Sequence, residues 1–245
     1  MNPDEYQKMY DLEDRYWWFV GRRNLALGLL RRANVTGNVL DLGCGTGVVL
    51  GELQKWCTPT GLDMSDLALG FCQRRGLPRL VQGDGQHLPL TSAQFDAVIG
   101  LDIFEHIPDD RLAFSETFRV LRPGGTLVMS VPAFKSLWGP HDVALMHFRR
   151  YRRGELAQKL RAAGFEVKRN TYSVFFLFPI VVIVRFFEKR RKGEAKANLV
   201  RVPGWLNSLL IGVQNLEAGL ISAVNLPWGS SVVTVATKPR VQEQG

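Results

Sequence analysis

Through the first two thirds of the chain, short apolar runs that end in glycine or an acidic residue alternate with stretches of helical period. After a helical opening over about Tyr6 to Ala33, "GNVLDLGCGTG" reads as a first strand with a glycine-rich turn, and "VVLGELQKW" as the helix after it. "PTGLDMS" is a second strand with an acidic end, followed by the helix "SDLALGFCQRRG"; "RLVQGDGQHLPL" is a third strand and its loop. "FDAVIGLDIFEHIPD" is a fourth strand with a long loop, "RLAFSETFRVLRPGG" a helix stopped by Pro123, and "GTLVMSVPA" a fifth strand. Such alternation predicts an α/β fold with a parallel sheet covered by helices.

Further on, "RRGELAQKLRAAGF" is a helix closed by Gly164, "EVKRNTYS" a sixth strand and "SSVVTVATKP" the last. About 55 residues separate these two strands, where a hairpin needs only a handful, so an insertion is expected. It opens on "YSVFFLFPIVVIVRFFEKRRK", whose apolar run from Val174 to Val184 is too short to span a bilayer, holds Pro179 and ends at Arg185. Its second half, "WLNSLLIGVQNLEAGLISAVN", repeats Trp205, Leu206, Leu209, Leu210, Val213, Leu216, Leu220 and Val224 at helical spacing, an amphipathic helix stopped by Pro227. These elements flank "EKRRKGEAK". Two readings stand: a helical pair buried as a lid or homodimer contact, or an element lying in a membrane interface or lining a greasy acceptor tunnel.

Charge sharpens this. The net charge is +8, yet residues 149–201 hold 15 Lys and Arg against 4 Asp and Glu, a net of +11, which leaves −3 for the rest. One surface is therefore expected to meet an anionic partner such as phospholipid headgroups; a solvated basic face is the plainer reading. The charge is too local for a uniform nucleic-acid binder, and no nucleic-acid partner is expected. Cys44, Cys57 and Cys72 form no metal or disulfide framework, and the polar start "MNPDEYQKMY" does not read as an export signal, so a cytoplasmic location, peripheral on the inner membrane face, is expected.

In "LDLGCGTG", Gly43, Gly45 and Gly47 follow a strand and open a helix, which lets backbone approach a ligand closely. Asp63 and Asp84 end the second and third strands, where carboxylates can accept ribose hydroxyls and an adenine amine. In order, "VLDLGCGTG", "GLDMS", "GDGQHLPL", "FDAVIGLDIFEHIPD" and "VLRPGGTLVMSVP" resemble the class I S-adenosylmethionine-dependent methyltransferases. A dehydrogenase would share the glycine turn but leaves "EHIPD" and "LRPGG" unexplained. The resemblance implies a Rossmann-like, seven-stranded, mostly parallel sheet with helices on both faces and its last strand antiparallel. The implied units are an N-terminal helical lid over 1–35, a core over 36–172 and 229–240, and the helical insertion over 173–228. It also implies S-adenosylmethionine as cofactor, with Asp41 and the backbone of Gly43 and Gly45 at the methionine, Asp63 and Met64 at the ribose and adenine edge, Asp84 and Gly85 at the adenine, and Leu101 and Asp102 on the methyl side.

Methyl transfer to oxygen needs an in-line acceptor, excluded water and a base, for which histidine suits. His106 in "DIFEHI" and His141 in "WGPHDVALMHFRRY" are candidates, with Asp142 adjacent but not on the same side by necessity. Similarity to ubiquinone-biosynthesis O-methyltransferases implies a divalent-metal option at Asp102, Glu105 and His106, although aspartate stands here for the first glutamate. The "HD…H.RRY" block resembles bacterial methyltransferases associated with lipid or glycan biosynthesis, which makes His147 and Tyr151 expected acceptor contacts. In "DRYWWFVGRRN", Trp18 and Phe19 either pack a first helix or cover the acceptor, with Arg22 or Arg23 at the cofactor carboxylate. Cys44 and His87 read as structural. The expected function is O-methylation of a hydrophobic or lipid-linked acceptor at the membrane face. A soluble acceptor, with the insertion as lid, and a non-catalytic cofactor-binding adaptor are the other readings.

Overall fold

The computed structural model describes residues 3–190 and 202–240, so the basic run over 191–201 lies outside the described residues. Seven strands form one sheet in the order β3-β2-β1-β4-β5-β7-β6: β1 Asn38–Leu42, β2 Thr58–Asp63, β3 Leu80–Gln82, β4 Phe95–Leu101, β5 Leu121–Pro132, β6 Glu166–Ser173 and β7 Ser231–Thr237. The pairs β1·β2, β1·β4, β2·β3 and β4·β5 are parallel, while β7 is antiparallel to both of its neighbours. This is the expected α/β sheet. Its first reversal, where β1 is flanked by β2 and β4, opens a crevice at the strands' carboxyl ends.

Both faces are buried, because successive strand residues point to opposite sides. Leu40, Leu42, Val98, Leu127, Met129 and Val131 pack with Phe114 of α5 (Asp110–Val120) and with Leu156 and Leu160 of α7 (Arg153–Ala162). Val39, Ala97, Ile99, Val128 and Val233 pack with Leu25, Leu29 and Leu30 of α2 (Trp17–Arg32), Val49 of α3 (Val48–Leu53) and Ile221 of α9 (Gly204–Ile221). The remaining helices are α1 (Pro3–Leu12), α4 (Asp66–Arg74), α6 (Pro140–Ala144) and α8 (Phe178–Arg190).

Three boundaries differ from expectation. The single opening helix is two, because Glu13 turns inward, 3% exposed, to accept the Thr46 hydroxyl and Arg75 Nη2 (2.8 Å). The fifth strand starts at Leu121 rather than after "RPGG", since Gly124 N–H donates to Lys238 O (2.8 Å) and Lys238 N–H to Gly125 O (2.9 Å). The helix after the glycine turn ends at Leu53, three residues before the end of "VVLGELQKW".

The insertion between β6 and β7 is helical, as expected, but the orientation of α9 is unusual. Gln214, Glu217 and Ile221 are buried against the protein, while Trp205, Leu209 and Leu216 are 56–71% exposed. Polar groups hold the inward side: Asn207 Oδ1 accepts Trp17 N–H (2.9 Å), Asn207 Nδ2 donates to Arg15 O (2.8 Å), and Asn24 Nδ2 donates to Asn215 Oδ1 (3.0 Å). Glu217 accepts the backbone N–H groups of Val174, Phe175 and Phe176, which anchors the start of the insertion.

Candidate active site

The carboxyl ends of β1 to β4 gather most of the residues expected to bind a ligand. After β1, Gly43 (φ 72°) and Gly45 (φ 54°) sit in left-handed backbone that disfavours any side chain. A Cβ on Gly43 would also lie 2.6 Å from Ile103, and one on Gly45 2.8 Å from Met9 Cε. The loop's amides are used internally: Gly43 and Cys44 N–H donate to Leu62 O, and Gly45 N–H to Asp63 Oδ2 (3.0 Å). Its carbonyls are largely engaged too: Cys44 O accepts Gly47 N–H, Gly45 O the Cys72 thiol and Thr46 O the Arg75 guanidinium. Cys44 is buried 3.9 Å from Cys72, and that contact and burial hold its thiol up, so it is no nucleophile.

Asp41, at the end of β1, is 3% exposed, and its Oδ2 has no hydrogen-bond partner. Burial, with the charges of Asp63 and Glu13, pushes its carboxyl up to about 7. A buried acceptor without a partner is costly, and an ammonium group would satisfy it. Asp63 accepts Ser65 N–H (2.9 Å) as well as that of Gly45, which leaves room for further donors on its oxygens. Met64 is 71% exposed beside it. Asp84 Oδ1 accepts Gln86 N–H (2.9 Å), and Gly85 lies against Ile107, where a Cβ would come within 2.7 Å. The set of carboxylate acceptors and the glycine turn thus fit an adenosyl ligand bearing an amino-acid tail.

Past β4, Asp102 is in left-handed backbone (φ 53°) and takes two partners, the Ser130 hydroxyl (2.9 Å) and the guanidinium of Arg22. Arg22 is therefore held at Asp102, and Arg23 donates to Glu13 O (3.1 Å). Beside Arg22 lies a narrow cleft with a cavity volume of about 20 Å³, walled by Trp18, Leu25, Leu101, Val174, Gln214 and Glu217. Its lining is mostly apolar, yet Arg22 Nε and Gln214 Nε2 are buried without partners. Trp18 reaches this cleft; Phe19 does not line it but packs under the Arg22 guanidinium, 5.8 Å from its centroid.

A second polar group adjoins Asp102. Glu105, in the 3₁₀ turn Phe104–His106, is fully buried with both oxygens unpartnered, and burial, then the Asp102 charge, pushes its carboxyl well up. His147 Nε2 lies 4.0 Å from it, and the His106 and His147 rings are 4.6 Å apart. The ligand atoms of Glu105, His106 and His147 all lie within 4.8 Å of one another, so a metal ion would be held by these three, not by the expected set with Asp102. Asp102 is committed to Arg22 and Ser130.

Asp142 is not partnered with its neighbour His141. It accepts His147 Nδ1 (2.9 Å), Arg150 Nε (2.7 Å) and Nη2 (3.0 Å), and Gly139 N–H (2.9 Å), which hold its carboxyl well below the usual range. His141 is pushed down to about 3 by burial and by Arg185, and His106 to about 4 by burial and by His147. Both stay neutral at pH 7, and both are weak bases. Tyr151 departs from its expected contact with an acceptor. It is wholly buried, donating to Asp110 Oδ2 (2.9 Å) and packing in the main core, where it can touch no ligand.

Sequence reasoning missed the Arg22 to Asp102 pair and the inward Glu217. Glu217 left a signal: it is the sole charge in the 18 residues of α9.

Comparison with known proteins gives these arrangements a context. The family described as "Methyltransferase domain" matches residues 40–129. A Mycolicibacterium smegmatis protein named "Probable S-adenosylmethionine-dependent methyltransferase" is 32% identical over 170 residues, 66% of this chain and 64% of that protein. The chain thus spans just under two thirds of that relative. A fatty-acid O-methyltransferase of the same organism is 40% identical over 102 residues, 38% of this chain and 37% of its own. Among solved structures, Haemonchus contortus phosphoethanolamine N-methyltransferase 2 in complex with S-adenosyl-L-methionine superposes with a TM-score of 0.58 at 18% identity, over 89% of this chain and 53% of that one.

Proposed function

We propose that this chain, which carries a methyltransferase domain of the class I S-adenosylmethionine-dependent family, O-methylates a hydrophobic or lipid-linked acceptor at a membrane face. The observation that carries this reading is the mostly apolar cleft under α9, lined by Leu101 at the end of β4 and by Arg22, which bonds to Asp102 and whose charge acts on the Asp41 carboxyl. Asp41 and the backbone of Gly43 and Gly45 hold the methionine end, Asp63 and Met64 the ribose and adenine edge, and Asp84 and Gly85 the adenine. S-adenosylmethionine, when bound, supplies an electrophilic methyl group on a sulfonium.

The protein's part is positioning and exclusion of water. Trp18, Leu25 and Val174 give the acceptor apolar walls, Leu101 and Asp102 face the methyl side, and the donors of Arg22 and Gln214 fix its oxygen. An acceptor hydroxyl must lose a proton, and the group of Glu105, His106 and His147 is the proposed sink. Within it His147, whose ring is oriented by Asp142, is the proposed acceptor of that proton. If a divalent ion is used, the same three residues hold it.

The test is calorimetric titration of S-adenosylhomocysteine into the wild type and into Asp41→Asn. Micromolar binding that weakens at least tenfold in the variant is expected. No binding by the wild type would refute the reading.

A further inference from the structure

Among the described residues, apolar side chains on the outward faces of α8 and α9 are exposed rather than packed on the rest of the fold. On α8, Ile180, Ile183, Val184 and Phe187 recur at the spacing of one helix face and are 41–60% exposed. On α9, Trp205, Leu209, Leu216 and Leu220 do the same at 39–71%. A helix packed on a protein in water turns such residues inward. Here the inward side of α9 carries Asn207, Gln214 and Glu217, bonded or packed against α2 and the end of β6, alongside the apolar Ala218 and Ile221 in the core. The contact with Gly21 shows how closely: a Cβ there would lie 1.3 Å from Gln214 Oε1, so α9 has no room to roll over on α2.

We infer that the outward faces of α8 and α9 seat in the interface of an anionic phospholipid bilayer. This rests on the reading above and names the surface from which an apolar acceptor reaches the cleft. Charge selects the occupant. The sequence from 189 to 201, which joins the end of α8 to the start of α9, holds six Lys and Arg against one Glu, within the stretch of net +11. Anionic headgroups attract such a stretch, and apolar side chains beside it enter the acyl boundary. A second copy of the chain would carry the same net positive charge in this stretch, not a complementary one. Among the described residues no helix is long and apolar enough to cross a membrane, which fits an element that lies in the interface. Glu217 and Gln214 line the cleft from the inward side of the helix whose outward side meets lipid.

The experiment is flotation of the full chain with vesicles of phosphatidylcholine containing about one third phosphatidylglycerol, and with phosphatidylcholine alone. Binding to the mixed vesicles is expected, at least tenfold weaker to the neutral ones or in 0.5 M salt. Leu209→Ser with Leu216→Ser, and separately Ile183→Ser with Phe187→Ser, are expected to lose at least tenfold. Affinity for S-adenosylhomocysteine should be unchanged in both, which certifies their fold. Absence of vesicle binding by a wild type that binds S-adenosylhomocysteine overturns the inference and leaves the enzyme reading standing. A dimer in sedimentation that the same substitutions dissociate, without vesicle binding, also overturns it. Vesicle binding by a chain that does not bind S-adenosylhomocysteine supports the surface and refutes the enzyme.

Discussion

Asp142 Oδ1 and His147 Nδ1 share a 2.9 Å hydrogen bond although five residues part them, because the chain doubles back through Met146 in left-handed backbone (φ 58°). The same carboxylate grips the buried Arg150 with both of its oxygens. Asp142→Asn strands that guanidinium, and an unfolding titration in urea should show a loss of about 3–5 kcal/mol. His147→Gln leaves the ion pair intact. It should stay within about 1 kcal/mol of wild type while methyl transfer falls by about 10²-fold or more, the scale of a lost proton acceptor.

Asp41 predicts a pH dependence with two opposite signs. Its carboxyl is held at about 7 in the fold against an ordinary 3.8, so between about pH 4 and 7 the folded chain keeps a proton that the unfolded chain has lost. Stability of the ligand-free protein should therefore fall as pH rises through that window. Binding of a cationic amino group needs the ionised carboxylate, so the affinity for S-adenosylhomocysteine should rise with pH, by up to about tenfold per unit below 7, then level off. Calorimetry in two buffers of different ionisation enthalpy would detect the released proton, and Asp41→Asn should abolish it.

Gly43→Ala tests the turn. The substitution forces a side chain into left-handed backbone and against Ile103 at 2.6 Å. Strain of about 1–2 kcal/mol is expected from the backbone alone, and at least a tenfold weaker affinity for S-adenosylhomocysteine. Gly70→Ala, where nothing lies within 4 Å of the added methyl, is the control and should bind normally.

Glu217→Ala removes the acceptor for three consecutive amides and should cost about 1–3 kcal/mol, read from the thermal midpoint. Hydrogen exchange at Val174, Phe175 and Phe176 should quicken in the variant while that of β4 stays slow.

The strands and the glycine turn were legible because a buried parallel strand needs a continuous apolar run and a sharp turn needs glycine, both local requirements. What was hidden depends on distant partners. The break at Glu13 is caused by Thr46 and Arg75, and the early start of β5 by backbone bonds to residues beyond β7. Periodicity showed that α9 has two faces but not which one turns inward. That choice rests on amides of the β6 end and on Gly21 of α2, which no window around α9 contains. At the candidate site, Asp63 and Asp84 could be read from the strand ends they stand at, whereas Asp41 and Asp102 came only with the family resemblance. Tyr151 could not be told from a surface tyrosine, since its burial depends on Asp110 and Lys159, supplied by two other helices. The pairing of Asp142 with His147 rather than His141 likewise follows from a turn that helical spacing does not foresee.

Transfer of label is the most direct measurement. The wild-type chain is incubated with methyl-labelled S-adenosylmethionine and a bacterial membrane-lipid extract dispersed in anionic vesicles, and the organic phase is counted. A hydrophobic acceptor in the cleft under α9 predicts label in the organic phase, reduced by about 10²-fold or more in His147→Gln. Label that stays wholly in the aqueous phase, from a protein shown to bind the cofactor, would contradict it.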